Sequence, residues 1–203
     1  CSGQRYGQDC ISVCPQFCEV GNLSQSVCDH IHGTCLLGCQ AGYLGSMCDE
    51  SCSGQRYGQD CSSVCSQFCE VGYMSQSVCD HIHGTCLLGC QAGYLGSMCD
   101  ESCDHGTYGT DCSSYCSQFC VSGNISESAC DHTDGRCLYG CQAGYQLPKC
   151  NQQCDRGTYG QDCNSTCPQH CENTDINGSV CNHTSGACTQ GCQPGYTGLL
   201  CDE

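Results

Sequence analysis

The cysteines constrain this chain more than any other residues. They stand at positions 1, 10, 14, 18, 28, 35, 39 and 48, and recur at +51, +102 and +153 without a slip. A fixed period of this length marks a repeat architecture. It predicts four units, residues 1–51, 52–102, 103–153 and 154–203. Units one and two differ at four of 51 positions, Ile11/Ser62, Pro15/Ser66, Asn22/Tyr73 and Leu23/Met74. Units three and four have drifted much further while keeping every cysteine.

With 32 cysteines in 203 residues, no tryptophan and three phenylalanines, the chain cannot bury a large apolar core. Disulfides must replace it, which places the chain in an oxidising, extracellular setting. Metal storage, the rival reading of dense cysteine, favours tight C-x-C and C-x2-C clusters, whereas every gap here is three residues or longer. Each native bridge in a small secreted domain is typically worth about 2–5 kcal/mol.

Between the last two cysteines of each unit lies a Gly-Tyr hairpin. Its first copy is Cys39-Gln40-Ala41-Gly42-Tyr43-Leu44-Gly45-Ser46-Met47-Cys48. Gly42 and Gly45 permit a positive φ and hence a tight reversal. The Tyr43 ring is then placed to cover a bridge. Copies follow at Cys90–Cys99 and Cys192–Cys201, and Cys141–Cys150 carries Leu147-Pro148 where the second glycine should be. A related clip, ending Tyr-Gly-x-x-Cys, opens each unit at Cys1, Cys52, Cys103 and Cys154. Turn residues punctuate the chain and no window keeps a 3.6-residue period, so short antiparallel hairpins are expected rather than helices. Units joined by only three residues, such as Asp49-Glu50-Ser51, predict an elongated array.

Counting alone leaves 105 pairings for eight cysteines. The hairpin C-x-x-G-Y-x-G-x-x-C, preceded by Cys14, Cys18, Cys28 and Cys35, resembles an epidermal-growth-factor-like module. The additional Cys1 and Cys10 make each unit similar to the eight-cysteine laminin-type and multiple-EGF variety. The resemblance implies Cys1–Cys10, Cys14–Cys28, Cys18–Cys35 and Cys39–Cys48 in unit one. It implies Cys52–Cys61, Cys65–Cys79, Cys69–Cys86 and Cys90–Cys99 in unit two, and Cys103–Cys112, Cys116–Cys130, Cys120–Cys137 and Cys141–Cys150 in unit three. Unit four would carry Cys154–Cys163, Cys167–Cys181, Cys171–Cys188 and Cys192–Cys201. One departure is Cys35-Leu36-Leu37-Gly38-Cys39, where three residues replace the usual one, which predicts a looser connection between module halves.

The net charge of −16, with only Arg5, Arg56, Arg136, Lys149 and Arg156 basic, excludes nucleic acid and anionic membrane as partners. No apolar run approaches a membrane span, and direct insertion is excluded. The chain begins abruptly on Cys1 without a signal peptide, as expected of a mature or excised piece. No Ser/His/Asp set and no phosphate-cradling loop is present, so the reading is not an enzyme. No cofactor is required.

Three groups remain as candidate sites. Asp29-His30-Ile31-His32 and its copy Asp80-His81-Ile82-His83 suit a metal if the histidines alternate on a strand. Units three and four keep only His132 and His183, so a structural turn is the better reading. The Cys52–Cys61 bridge would return Asp60 towards Asp49 and Glu50, and the next joint would gather Asp100, Glu101 and Asp111. Such clusters can hold a hard cation such as Ca²⁺ weakly, although a solvated acidic surface is the better reading. The joint before Cys154 has Asn151-Gln152-Gln153 instead, leaving Asp162. Glycosylation sequons lie at Asn22, Asn124, Asn164, Asn177 and Asn182.

Near-verbatim repetition suits a material more than a receptor whose units specialise. The resemblance is strongest to the EGF-repeat proteins of scallop byssal threads. It implies a secreted, extensible, load-bearing protein, with self-association or other matrix proteins as partners and Ca²⁺–carboxylate contacts between chains. The alternative is a ligand-binding ectodomain fragment of a multiple-EGF scavenger or engulfment receptor.

Overall fold

A computed structural model describes all residues except 2, 23–24, 74–76, 125–126 and 174–177. The chain forms two compact units, one of residues 1–91 and 95–101, the other of residues 92–94 and 102–203. Both are disulfide-rich stacks of short antiparallel hairpins, and no α-helix occurs among the described residues.

In the first unit, Arg5–Tyr6 pairs with Ser12–Val13, Tyr43–Leu44 with Glu50–Ser51, and Arg56–Tyr57 with Ser63–Val64. In the second, Thr107–Tyr108 pairs with Ser114–Tyr115, Tyr145–Gln146 with Gln152–Gln153, and Thr158–Tyr159 with Ser165–Thr166. Two-residue strands of this kind are unstable alone in water. Covalent closure holds them: Cys1–Cys10 and Cys39–Cys48, for example, bring their Cα atoms to 5.2 and 5.3 Å.

Sixteen bridges join all the cysteines, and none is free. Within the first clip and module they are Cys1–Cys10, Cys14–Cys28, Cys18–Cys35 and Cys39–Cys48, and the same offsets recur in each later repeat. Among the described residues every buried apolar side chain is a cysteine, and no polar or charged side chain is buried. Tyr6 packs against the cluster of Cys14, Cys18 and Cys28, and Tyr57 against Cys65, Cys69 and Cys79. Gly33 and Gly84 lie directly beneath those rings, where a Cβ would come within 2.7 and 2.5 Å of them.

The closing cysteine of every short hairpin has a positive φ. Cys10, Cys48, Cys61, Cys99, Cys112, Cys150, Cys163 and Cys201 all lie between 50° and 56°. This left-handed conformation is uncommon outside glycine and costs roughly 1–2 kcal/mol per residue. The bridge is what holds it.

The Cys35–Cys39 segment is not slack, contrary to the expectation from its length. Leu36 donates its N–H to Val27 O at 3.0 Å, Cys35 to Ser46 O at 2.8 Å, and Gly38 O accepts from Glu19 N at 2.9 Å. The two added residues are absorbed by the exposed leucines. Leu37 lies across Gly21, whose Cβ would meet it at 2.7 Å. Leu147-Pro148 is a cis peptide, and its hairpin still closes: Pro148 O accepts from Cys137 N at 2.8 Å, as Ser46 O does from Cys35.

Candidate functional site

The densest arrangement outside the bridges is the joint at which a Gly-Tyr hairpin meets the next clip. Gly42 at φ +90 makes the hairpin's reversal. It donates its N–H to Gly58 O at 2.9 Å and accepts from Cys52 N at 2.8 Å. Gly58 in turn donates to His81 O at 3.0 Å, so main-chain bonds run from hairpin through clip to the turn beyond. Gln59 Nε2 adds a bond to Cys39 O at 2.8 Å. A Cβ on Gly42 would stand 2.8 Å from the His81 ring, 2.9 Å from its carbonyl oxygen and 2.9 Å from Ile82, so only glycine fits.

Aromatic rings complete the joint. Phe17 stacks on Tyr43 at 3.7 Å, and the His81 ring meets Tyr43 edge-on at 5.3 Å. Such pairs contribute about 0.5–1.5 kcal/mol beyond their burial. The second compact unit repeats the pattern with Tyr94 and His132 at 5.3 Å, and with Phe119, Tyr145 and His183. The Nε2 atoms of His81 and His132 are buried there without a hydrogen-bond partner. The hairpin tyrosine therefore meets a phenylalanine and a histidine as well as sulfur; Tyr145 packs against the Cys120, Cys137, Cys141 and Cys150 cluster.

The segment D/N-H-x-x-G is a turn, not a strand. Asp80 Oδ1 accepts from Ile82 N at 3.1 Å and His83 N at 2.8 Å, and Gly84 N bonds back to Asp80 O at 2.9 Å. Asp29 makes the same turn, Asp131 makes it with Thr133 and Asp134, and Asn182 makes it with Thr184 and Ser185. The backbone N–H of His32 and of His83 holds Asp29 and Asp80 below the usual carboxylate range. Both histidines of each turn face its aspartate, Nδ1 of His30 and His81 at 3.9 Å and of His32 and His83 at 3.2 Å, and in the second turn they differ in what else they meet. His81 serves the joint, while His83 is exposed with Nδ1 3.2 Å from Asp80 Oδ1. Among the described residues, neither turn's aspartate and histidines close a set of three ligand atoms within 4.8 Å.

Asp49, Glu50 and Asp60 are exposed on the first joint and do not form a set of three ligand oxygens within 4.8 Å. Among the described residues, sets that close consist only of bridged sulfurs, such as Cys18, Cys35 and Cys48. Asp49 Oδ1 lies beside Gly45 instead, and Asp100 Oδ1 beside Gly96. Asp100 and Glu101 belong to the first compact unit and Asp111 to the second. Asn22, Asn124, Asn164 and Asn182 are exposed, with Asn182 Oδ1 engaged in its turn; Asn177 lies outside the described residues.

Sequence reasoning missed the joint itself. The visible signal was the first histidine of the turn, retained as His30, His81, His132 and His183 when the second was lost.

No protein-family profile matches the chain. Over 108 residues it is 37% identical to the human scavenger receptor class F member 2, covering 51% of this chain and 11% of that protein. Over 71 residues it is 37% identical to the human multiple epidermal growth factor-like domains protein 6, covering 32% of this chain and 4% of the relative. Over 79 residues it is 29% identical to the dendrite extension defective protein 1 of Caenorhabditis elegans, covering 39% and 6%. The chain thus spans about a tenth or less of the length of these relatives. Its fold is that of tandem EGF-like repeats, and its likeness is to multiple-EGF proteins. No helix among the described residues is long and apolar enough to cross a membrane.

Proposed function

We propose that this chain is a secreted, non-catalytic structural protein that carries load through tandem EGF-like repeats, in the manner of a byssal-thread component. The observation behind this reading is the joint. Each bridged hairpin is bonded through the main chain to the next clip, Gly42 to Gly58 and Gly58 to His81 in the first copy. Bridges limit how far each repeat can lengthen, and the non-covalent joints between them open and re-form. The partners are further copies or other matrix proteins, with Ca²⁺ held between exposed carboxylates such as Asp49, Glu50, Asp60, Asp100, Glu101 and Asp111.

Pulling single oxidised chains tests this. Reversible lengthening at low force, followed by full extension only after reduction, is the expected record. Long irreversible steps without reductant would reject the load-bearing reading. For the cation contacts, chelation should dissociate assemblies and leave the monomer folded; unchanged assemblies in chelator would remove them.

A second reading, a ligand-binding ectodomain fragment, is favoured by the 37% match to a protein named as a scavenger receptor. It requires a saturable ligand, read as binding of a candidate to the immobilised oxidised chain and its loss after reduction.

A further inference from the structure

Two bridges of each repeat lie against each other. In repeat two the Sγ atoms of Cys69, Cys86 and Cys99 are all within 4.8 Å of one another, and the equivalent three sulfurs form the same set in every other repeat. Cys69 and Cys86 are one bridge, whereas Cys99 belongs to the next, Cys90–Cys99. The main chain fixes this approach. Cys86 donates its N–H to Ser97 O at 2.7 Å and so runs beside the segment that ends at Cys99. In the fourth repeat the corresponding sulfurs, of Cys188 and Cys201, stand 3.2 Å apart. Among the described residues no such set includes a cysteine of an opening clip, although Cys52–Cys61 has the same sequence separation as Cys90–Cys99.

The two ends of the outer bridge differ in access. Cys99 is 0% exposed, while Cys90 is half-buried, so a thiolate in solution reaches the sulfur of Cys90. Exchange proceeds by attack of a thiolate on one sulfur of a bridge and expulsion of the other. The sulfur expelled here is that of Cys99, and it emerges in the interior beside an intact bridge. Repeats one and three are better covered. Cys39 is 7% exposed and its carbonyl accepts from Gln59 Nε2, and Cys141 is 0% exposed with Asp162 bonded to its N–H.

We propose that Cys90–Cys99 is a covalent capture site for an external thiol, with Cys69–Cys86 as its internal acceptor. The incoming thiolate bonds to Cys90 Sγ, the Cys90–Cys99 bond breaks, and its electron pair leaves on Cys99. The Cys99 thiolate then bonds to Cys86 Sγ, the Cys69–Cys86 bond breaks, and that electron pair leaves on Cys69. One thiolate enters and one remains, so no oxidant or reductant is consumed. Loop closure does not oppose the second step, because its cost changes only with the logarithm of length and a separation of 17 gives way to one of 13, as between Cys188 and Cys201. The thiolate released by capture is thereby removed from the sulfur it would otherwise attack in return. This inference goes beyond the load-bearing reading and does not rest on it, since the same exchange would occur in a receptor fragment; its failure leaves the pulling experiment as that reading's own test.

The test treats the oxidised full chain with limiting glutathione at about pH 8, near the usual thiol pKa of about 8.5, then quenches with acid and labels free thiols with a maleimide. Mass spectrometry of fragments locates both adducts. Fragments holding Cys18 and Cys69 differ at Asn22/Tyr73 and Leu23/Met74, and those holding Cys39 and Cys90 run on to Ser53 and Asp104. Glutathione should appear on Cys90 and the maleimide on Cys69. Repeats one and three should react several-fold more slowly. Where a clip bridge opens, the maleimide should stay on the partner of the glutathione-bearing cysteine. Maleimide on Cys99 with Cys69–Cys86 intact would overturn the internal acceptor. Glutathione confined to the clips, or no adduct on the folded chain, would overturn the capture site. None of these outcomes depends on a variant folding.

Discussion

The first and third joints share one main-chain frame and differ in the side chains laid over it. Gly42 N to Gly58 O and Gly144 N to Gly160 O are both 2.9 Å. Gly58 N to His81 O and Gly160 N to His183 O are both 3.0 Å. Around that frame the first joint has acidic Asp49 and Glu50 and an exposed Asp60, and Gln59 reaches Cys39 O. The third has neutral Asn151, Gln152 and Gln153, and its Asp162 turns onto the hairpin, accepting from Cys141 N at 2.5 Å over Gly140. A carboxylate is free to bond a backbone N–H where its neighbours are uncharged. Asp60, on a joint that carries two further carboxylates, stays exposed to water and salt, which screen the repulsion. The main-chain frame therefore specifies the joint, and the side chains set its charge.

The largest test strikes that shared frame. Gly42→Val and Gly144→Val should each open their own joint by about 3 kcal/mol, combining overpacking with a side chain forced to positive φ. Amide exchange should accelerate at Gly58 and Cys52 in one variant and at Gly160 and Cys154 in the other. Equal loss at both joints from either variant would show that the joints are not independent. Asp162→Ala should cost the third joint about 1.5–3 kcal/mol more than Asp60→Ala costs the first, the scale of a hydrogen bond to a charged group, since both aspartates hold the same left-handed φ. Equal effects would erase the distinction between the two carboxylates.

Acid separates the joints in the opposite sense. The turn under the first joint rests on Asp80, whose folded pKa is lowered chiefly by the His83 N–H, while the turn under the third rests on Asn182. A lowered folded pKa gives stability that is fully present above the unfolded value of about 3.9 and is lost as pH falls through the folded one. Below about pH 4 the amides of Ile82 and His83 should lose protection while those of Thr184 and Ser185 keep it. Loss at both turns together would point to global unfolding. The smallest effect concerns calcium. If the first joint holds it weakly, Asp49→Asn with Glu50→Gln should lower the stoichiometry seen by calorimetry, and an unchanged stoichiometry would remove those residues from any site.

Much of the fold was legible because cysteine spacing leaves so few ways to close the chain. The positive φ expected of Gly42 and Gly45 is found at +90 and +91. The left-handed closing cysteines were not legible, because a residue other than glycine gives no sign of that conformation in its identity. The joint was hidden for a different reason. Its contacts run from Tyr43 to His81 across 38 residues, and periodicity shows that both recur without showing that they touch. The carboxylate clusters were inferred from chain proximity, and Asp49 instead faces its own hairpin turn at Gly45.

The sulfur interior has a calorimetric consequence. Ile11, Val13, Val64, Leu36, Leu87 and Leu199 already face water in the native chain. Unfolding the oxidised chain would newly wet little hydrocarbon. Its heat-capacity step should therefore fall well short of the roughly 12–15 cal/mol/K per residue of an ordinary domain. Stability would then vary only gently with temperature, and the chain would hold its shape nearly alike in cold and in warm surroundings.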